Sequence, residues 1–221
     1  MTLPSRRSLV FLPGLLFWNA RSRGQVKAPP MPPADGVNKA LSRFKELIQS
    51  WNYRQMGFDS VEQAQRAANG PSYPLYYVRL DALKTYDPAK DQPDTLILYA
   101  AQTIHSVVAD DAVRASFTME FNNNAWRASR FDSGAQIRQI DLARKLIPGA
   151  ASRFIVGVPA LHARYVAVRA DGAEPGDPHP GGELMMYAAG PQPVQAEPGS
   201  SARTILTLLK PLAIKTPDKP G

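Results

Sequence analysis

Residues Val113 to Phe131 constrain the fold more than any other stretch of this chain. Val113, Ala115, Phe117, Met119 and Phe121 alternate with Arg114, Ser116, Thr118 and Glu120. A period of two sends one set of side chains into a core and the other into water. Asn122, Asn123 and Asn124 follow, and asparagine tolerates the left-handed backbone of a tight turn. The chain returns with Trp126, Ala128 and Arg130 on one face and Arg127 and Ser129 on the other. The pattern predicts a β-hairpin. On this phase Phe117→Asp unfolds the protein or sharply lowers its melting temperature, whereas Thr118→Asp does little.

The hairpin belongs to a longer antiparallel run. Thr95 to Val108 is strand-like, with a bulge expected where alternation slips at Ala100-Ala101, and Asp110-Asp111 turns it into the hairpin. Three consecutive strands result, 95–108, 112–121 and 125–131. Tyr73 to Leu83 reads as an earlier strand, followed by a polar loop from Asp87 to Asp94. Upstream, Leu41, Phe44, Leu47, Ile48 and Trp51 recur at helical spacing and predict a helix from Asn38 to Trp51. Ser60 and Gln63 form a capping-box pattern for a second helix, ended by Asn69-Gly70.

Beyond the hairpin, Ser133 caps a helix from Gln136 to Ile147, stopped by Pro148-Gly149. Strands are expected at 154–161, 163–168 and 184–189, and a last helix starts at Ser200 or Ser201 and ends or kinks at Pro211. The expected fold class is α+β: antiparallel β-meander sheets with helices packed on one face. Tyr77 to Leu83 can be laid on Ile155 to Leu161, each following a helix and a glycine, Gly70 and Gly149. That suggests two similar helix-plus-sheet halves, 37–134 and 135–214, with a disordered tail at 215–221.

The N-terminus has a different character. Prolines number 21 in 221 residues and cluster, with Pro29, Pro30, Pro32 and Pro33 marking a linker over 29–36. Ahead of it, Arg6 and Arg7 precede an apolar run of 11 residues from Ser8 to Trp18. That run is too short to span a bilayer, which takes about 20 residues. Ser5-Arg6-Arg7-Ser8-Leu9-Val10 resembles the twin-arginine export signal, and residues 1–28 are read as such a signal. The alternative is an uncleaved segment lying at the inner membrane through residues 8–18. The net charge is +7, but Arg6, Arg7, Arg21, Arg23 and Lys27 supply five of it, with no acid before Asp35. The near-neutral remainder lacks the basic stripe of a nucleic-acid-binding protein.

Catalytic patterns are sparse. The chain has no cysteine, so thiolate chemistry, disulfides and cysteine-ligated metals are excluded. His105, His162 and His179 lack ligand spacing. Ser42 and Lys45 satisfy a Ser-x-x-Lys spacing without its partner motifs. Asp81, Asp87, Asp91 and Asp94 surround one loop but lack a calcium-loop pattern. Tyr73, Tyr76, Tyr77, Tyr86 and Tyr99 suit either strand packing or a contact surface.

No catalytic, cofactor or metal set is assigned on these grounds. The expectation is an exported bacterial protein, periplasmic or secreted, that acts as a non-catalytic accessory or binding protein for an envelope protein or a small ligand. The alternative is an extracytoplasmic hydrolase whose site gathers scattered residues such as His105, Ser106 and Asp110.

Overall fold

The computed structural model describes residues 31–147, 149, 152–169 and 182–217. The expected export signal, the first linker residues, His179 and the last four residues lie outside them. Among the described residues the strands form one eight-stranded sheet. They are β1 (Ala68–Val78), β2 (Ile97–Ala109), β3 (Ala112–Asn122), β4 (Ala125–Ser133), β5 (Arg153–Val158), β6 (Ala163–Arg169), β7 (Leu184–Ala188) and β8 (Ser200–Ser201). Their order is β4-β3-β2-β1-β5-β6-β7-β8. The helices are α1 (Ala34–Glu46), α2 (Val61–Arg66), α3 (Leu80–Thr85), α4 (Gly134–Lys145) and α5 (Ala202–Lys215).

The protein is α+β, but the sheet is mixed rather than purely antiparallel. β1 and β5 pair in parallel, Leu75 with Ile155 and Tyr77 with Gly157. The other neighbours are antiparallel. Two meanders therefore run outward from a parallel seam. α4 supplies the crossover a parallel join demands, because a tight turn cannot link parallel strands.

Helices cover both faces, which corrects the one-face expectation. α1 residues Val37, Ala40, Leu41 and Phe44 pack with Val107, Ala115, Phe117 and Met119. α5 residues Ile205, Leu206 and Leu209 pack with Tyr76, Phe154, Val156 and Tyr165 on the same face. α4 places Ile137, Ile140 and Ala143 against Tyr73, Ile104, Ile155 and Val166 on the other. Strands buried on both faces explain the run Phe154-Ile155-Val156, all three fully buried.

The sheet also curls. Arg164 on β6 lies close enough to Arg130 and Asp132 on β4 to be perturbed by their charges, second to its own burial. These strands are five places apart, which in a flat sheet would separate them by about 24 Å. The sheet wraps around α4, which touches β3 and β4 on one side and β6 and β7 on the other.

The hairpin forms as predicted, with Asn123 (φ 50°) and Asn124 (φ 58°) in its left-handed turn and Asp110 (φ 49°) and Asp111 (φ 57°) in the preceding one. Two details of phase differ. Ser116 and Thr118 are buried, because α4 lies over the face expected to meet water. A bulge at Ser129 then re-phases β4, so Phe131 joins Trp126 and Ala128 against the α1 core while Arg130 pairs with Asp132 at 2.7 Å. The expected bulge at Ala100-Ala101 is present: Tyr99 faces Tyr76, Gln102 faces Leu75, and Ala101 has φ 54°.

Other boundaries move for local reasons. α1 starts at Ala34, inside the expected linker, since Pro33 ends the proline run in extended backbone and Asp35 favours the helix's positive end. α1 stops at Glu46 rather than Trp51, because Asn52 Nδ2 donates to Leu47 O at 2.9 Å and Asn52 Oδ1 accepts from Gln49 N at 2.7 Å. The capping reading at Ser60 holds: its Oγ accepts from Gln63 N at 3.1 Å, while Gln63 Oε1 reaches back to Asp59 N at 2.7 Å.

Asn69-Gly70 does not end a helix but runs within β1. A side chain on Gly70 would meet Val108 and Ser106 atoms at 2.5 and 2.7 Å. β1 in turn stops at Val78, and Leu80 to Leu83, expected as strand, are helical in α3, where Leu83 is buried among the α5 core. The sheet pairs Leu75 with Ile155, two residues from the alignment that suggested a repeat. α5 continues through Pro211 to Lys215, so the helix takes in the first residue of the expected tail.

Candidate functional site

The residues singled out by their chemistry are scattered by the fold. His105 is buried and stacks on Phe117 with ring centroids 5.1 Å apart. Ser106 follows it in a strand and so faces the other side of the sheet, where its Oγ donates to Pro71 O at 2.6 Å. Asp110 sits in the hairpin turn and accepts from Gln63 Nε2 at 2.6 Å. These three do not converge. His162 occupies a left-handed turn position (φ 52°) before β6. Ser42 Oγ donates to Asn38 O at 3.1 Å, and Lys45 Nζ to Gln65 O at 2.8 Å. Tyr73, Tyr76 and Tyr86 are core residues. No group of three or more acids and histidines able to hold a metal occurs among the described residues.

The acidic loop from Asp87 to Asp94 is the exception, because the fold draws it into a cleft. Its own carboxylates are largely used locally. Asp87 accepts from Ala89 N at 3.0 Å and pairs with Lys90 at 3.1 Å, and Asp91 Oδ2 accepts from Asp87 N at 2.8 Å. Asp94, in the short helical turn Pro93–Leu96, instead reaches Arg169 at the end of β6.

Arg169 is 2% exposed. It follows Ala163, Tyr165 and Ala167 in phase, which places it on the α5 face of the sheet. Its Nη2 donates to Asp94 Oδ1 and its Nη1 to Gly182 O at 2.5 Å, while Nε has no partner. A guanidinium this desolvated is tolerable only beside a carboxylate.

Arg203, in the first turn of α5, completes the wall. Ser201 Oγ caps that helix by accepting from Thr204 N at 3.2 Å. Arg203 Nη1 donates to Pro88 O and Nη2 to Gln92 Oε1 at 3.4 Å. Lys210, two turns on, donates to Tyr86 O at 2.6 Å. Burial pushes the Tyr86 hydroxyl pKa up, against the pull of Arg203 beside it. Gln92, Asp94, Arg169, Glu183 and Arg203 thus line a cleft of about 180 Å³, with Leu184 and Ala202 also in its wall.

No protein-family model, no curated protein and no solved structure matches this chain.

The cleft brings together two guanidinium groups, two carboxylates and an amide, so it offers both donors and acceptors to a small polar group. A wider depression of about 560 Å³ lies over Gln192, Val194, Gln195, Ala196 and Glu197, but one segment makes it and Glu197 is its sole ionisable lining residue. Sequence reasoning named Asp94 but missed Arg169 and Arg203. The signal for Arg169 was present: an arginine in the core phase of Ala163, Tyr165 and Ala167. Nothing local marks Arg203, whose partners lie more than 100 residues away.

Proposed function

We propose that this protein is an exported bacterial accessory protein, periplasmic or secreted, that binds a small zwitterionic ligand or the charged end of an envelope protein in the Arg169–Arg203 cleft. The observation that carries the binding role is Arg169 itself. Its guanidinium is desolvated and paired with Asp94, and such a buried ion pair, which an apolar pair would match in stability, lines a polar cleft. Export is supported by the twin-arginine-like segment ahead of the apolar run. The parallel seam between two meanders, each preceded by a helix, supports reading the two halves as similar modules.

Two measurements test this. Intact mass in fractions of the native host should show a soluble periplasmic form shortened by about 20–28 residues. A full-length cytoplasmic form removes the export reading, and a full-length membrane form replaces it with retention through residues 8–18. Native mass spectrometry of the purified wild type should show a small adduct that Arg203→Gln loses. If the wild type carries no adduct, and neither glycine, glutamate nor a dipeptide raises its melting temperature, the cleft is not a ligand site.

A further inference from the structure

We propose that the exposed side of α1 and the turn that follows it form a docking surface for an anionic lipid bilayer, with Trp51 and Leu47 entering the interface. This stands on different residues from the cleft. Lys39, Arg43 and Leu47 follow one another at four-residue spacing, so they share the outward stripe of α1 and of the turn that continues it. Trp51 is 76% exposed and Leu47 52% exposed.

Neither is a loose end. Asn52 hydrogen-bonds Leu47 O and Gln49 N through its side chain, and Tyr53 N donates to Gln49 O at 3.2 Å. Ile48 and Phe58, both buried, plug the same turn into the core. The chain therefore holds a tryptophan out in water on a fixed support, although a ring of this size gains greatly from leaving water.

Charge selects the occupant. Lys39, Arg43, Lys45 and Arg54 lie along residues 38–56, where Glu46 is the lone acid. That stretch carries a net charge of +3, while the whole chain from Asp35 onward is only +2. Basic side chains flanking tryptophan and leucine match an anionic lipid–water interface, where each surface cation adds to binding and tryptophan settles at headgroup depth. No helix among the described residues is long and apolar enough to cross a membrane.

The test must separate this patch from the apolar run at Ser8 to Trp18. The chain has three tryptophans, Trp18, Trp51 and Trp126, so full-length variants can retain one each. The Trp51-only protein, Trp18→Phe with Trp126→Phe, is mixed with vesicles of phosphatidylcholine alone or with phosphatidylglycerol, with brominated lipid as quencher. The expected result is a blue shift and quenching of Trp51 on anionic vesicles, absent on neutral ones. Arg43→Gln should weaken partitioning about fivefold, the effect of one cation near a charged surface. Quenching of a Trp18-only protein but not of Trp51 overturns the proposal, since the tail alone then holds the membrane. Equal quenching on neutral vesicles overturns the charge argument. A blue shift that grows with protein concentration without lipid assigns the patch to a second copy of the chain instead.

Discussion

Thr118 shows how one residue's neighbours outweigh its pattern. Alternation places it opposite Phe117, and so in water, yet it is 2% exposed because α4 covers that face, and its Oγ1 has no partner. Thr118→Asp should therefore destabilise as Phe117→Asp does, each by several kcal/mol, because both bury an unpaired charge. Thr118→Val should be neutral or stabilising by up to about 1 kcal/mol, since it removes an unsatisfied hydroxyl without changing shape. Denaturant unfolding of the three variants decides this, and a harmless Thr118→Asp would place α4 elsewhere. His105 carries a second prediction. Burial pushes its imidazole pKa down to about 4, against about 6.5 unfolded. Between these values the unfolded chain binds a proton that the folded chain refuses. Stability is complete above about pH 6.5 and declines as pH falls towards 4, by about 3 kcal/mol at most. His105→Phe preserves an aromatic ring against Phe117 and should flatten the melting temperature over that window. The same acid slope in the variant would show that another group is responsible.

At the scale of elements, local signals succeeded where the chain's own chemistry decides. Asparagine and aspartate turns, the Ser60 and Ser201 caps and the Ala100-Ala101 bulge lie where the sequence places them. They failed where packing overrides propensity. Leu80 to Leu83 look like strand, yet they become α3 because Leu83 and Leu80 meet the α5 core there. Pro211 looks like a stop, yet the helix runs on to Lys215. The buried run Ile205, Leu206, Leu209 and Ala213 offsets the single backbone hydrogen bond a proline removes. Pro211 itself is exposed, so Pro211→Ala opens no core cavity. It should raise stability by about 1–3 kcal/mol in calorimetry. A lower melting temperature would mean that the proline shapes α5 for its seat on the sheet.

The whole molecule is held by a seam of two strands far apart in sequence. β1 and β5 lie at the centre of the sheet, sandwiched between α5 on one face and α4 on the other. Their amides around Tyr76, Ile155 and Val156 should exchange with solvent slowest, only on global unfolding. β4, at the edge and half exposed along its length, should exchange fastest among the longer strands. Hydrogen exchange by mass spectrometry reads both. Independent opening of β1–β4 and β5–β8 would instead reveal two units that fold separately.

The sequence by itself determined the α+β class, the hairpin from Val113 to Phe131, its turns and most caps. Each of these rests on interactions within a few residues, which periodicity and turn chemistry encode directly. The tertiary structure alone decided that Leu75 meets Ile155, that α4 covers the Thr118 face, and that Asp94, Arg169 and Arg203 share one cleft. Leu75 and Ile155 lie 80 positions apart, Asp94 and Arg169 75, and Arg203 and its partner Pro88 115. Hydrophobic burial is non-directional, so a local pattern states that a face is buried without naming what buries it.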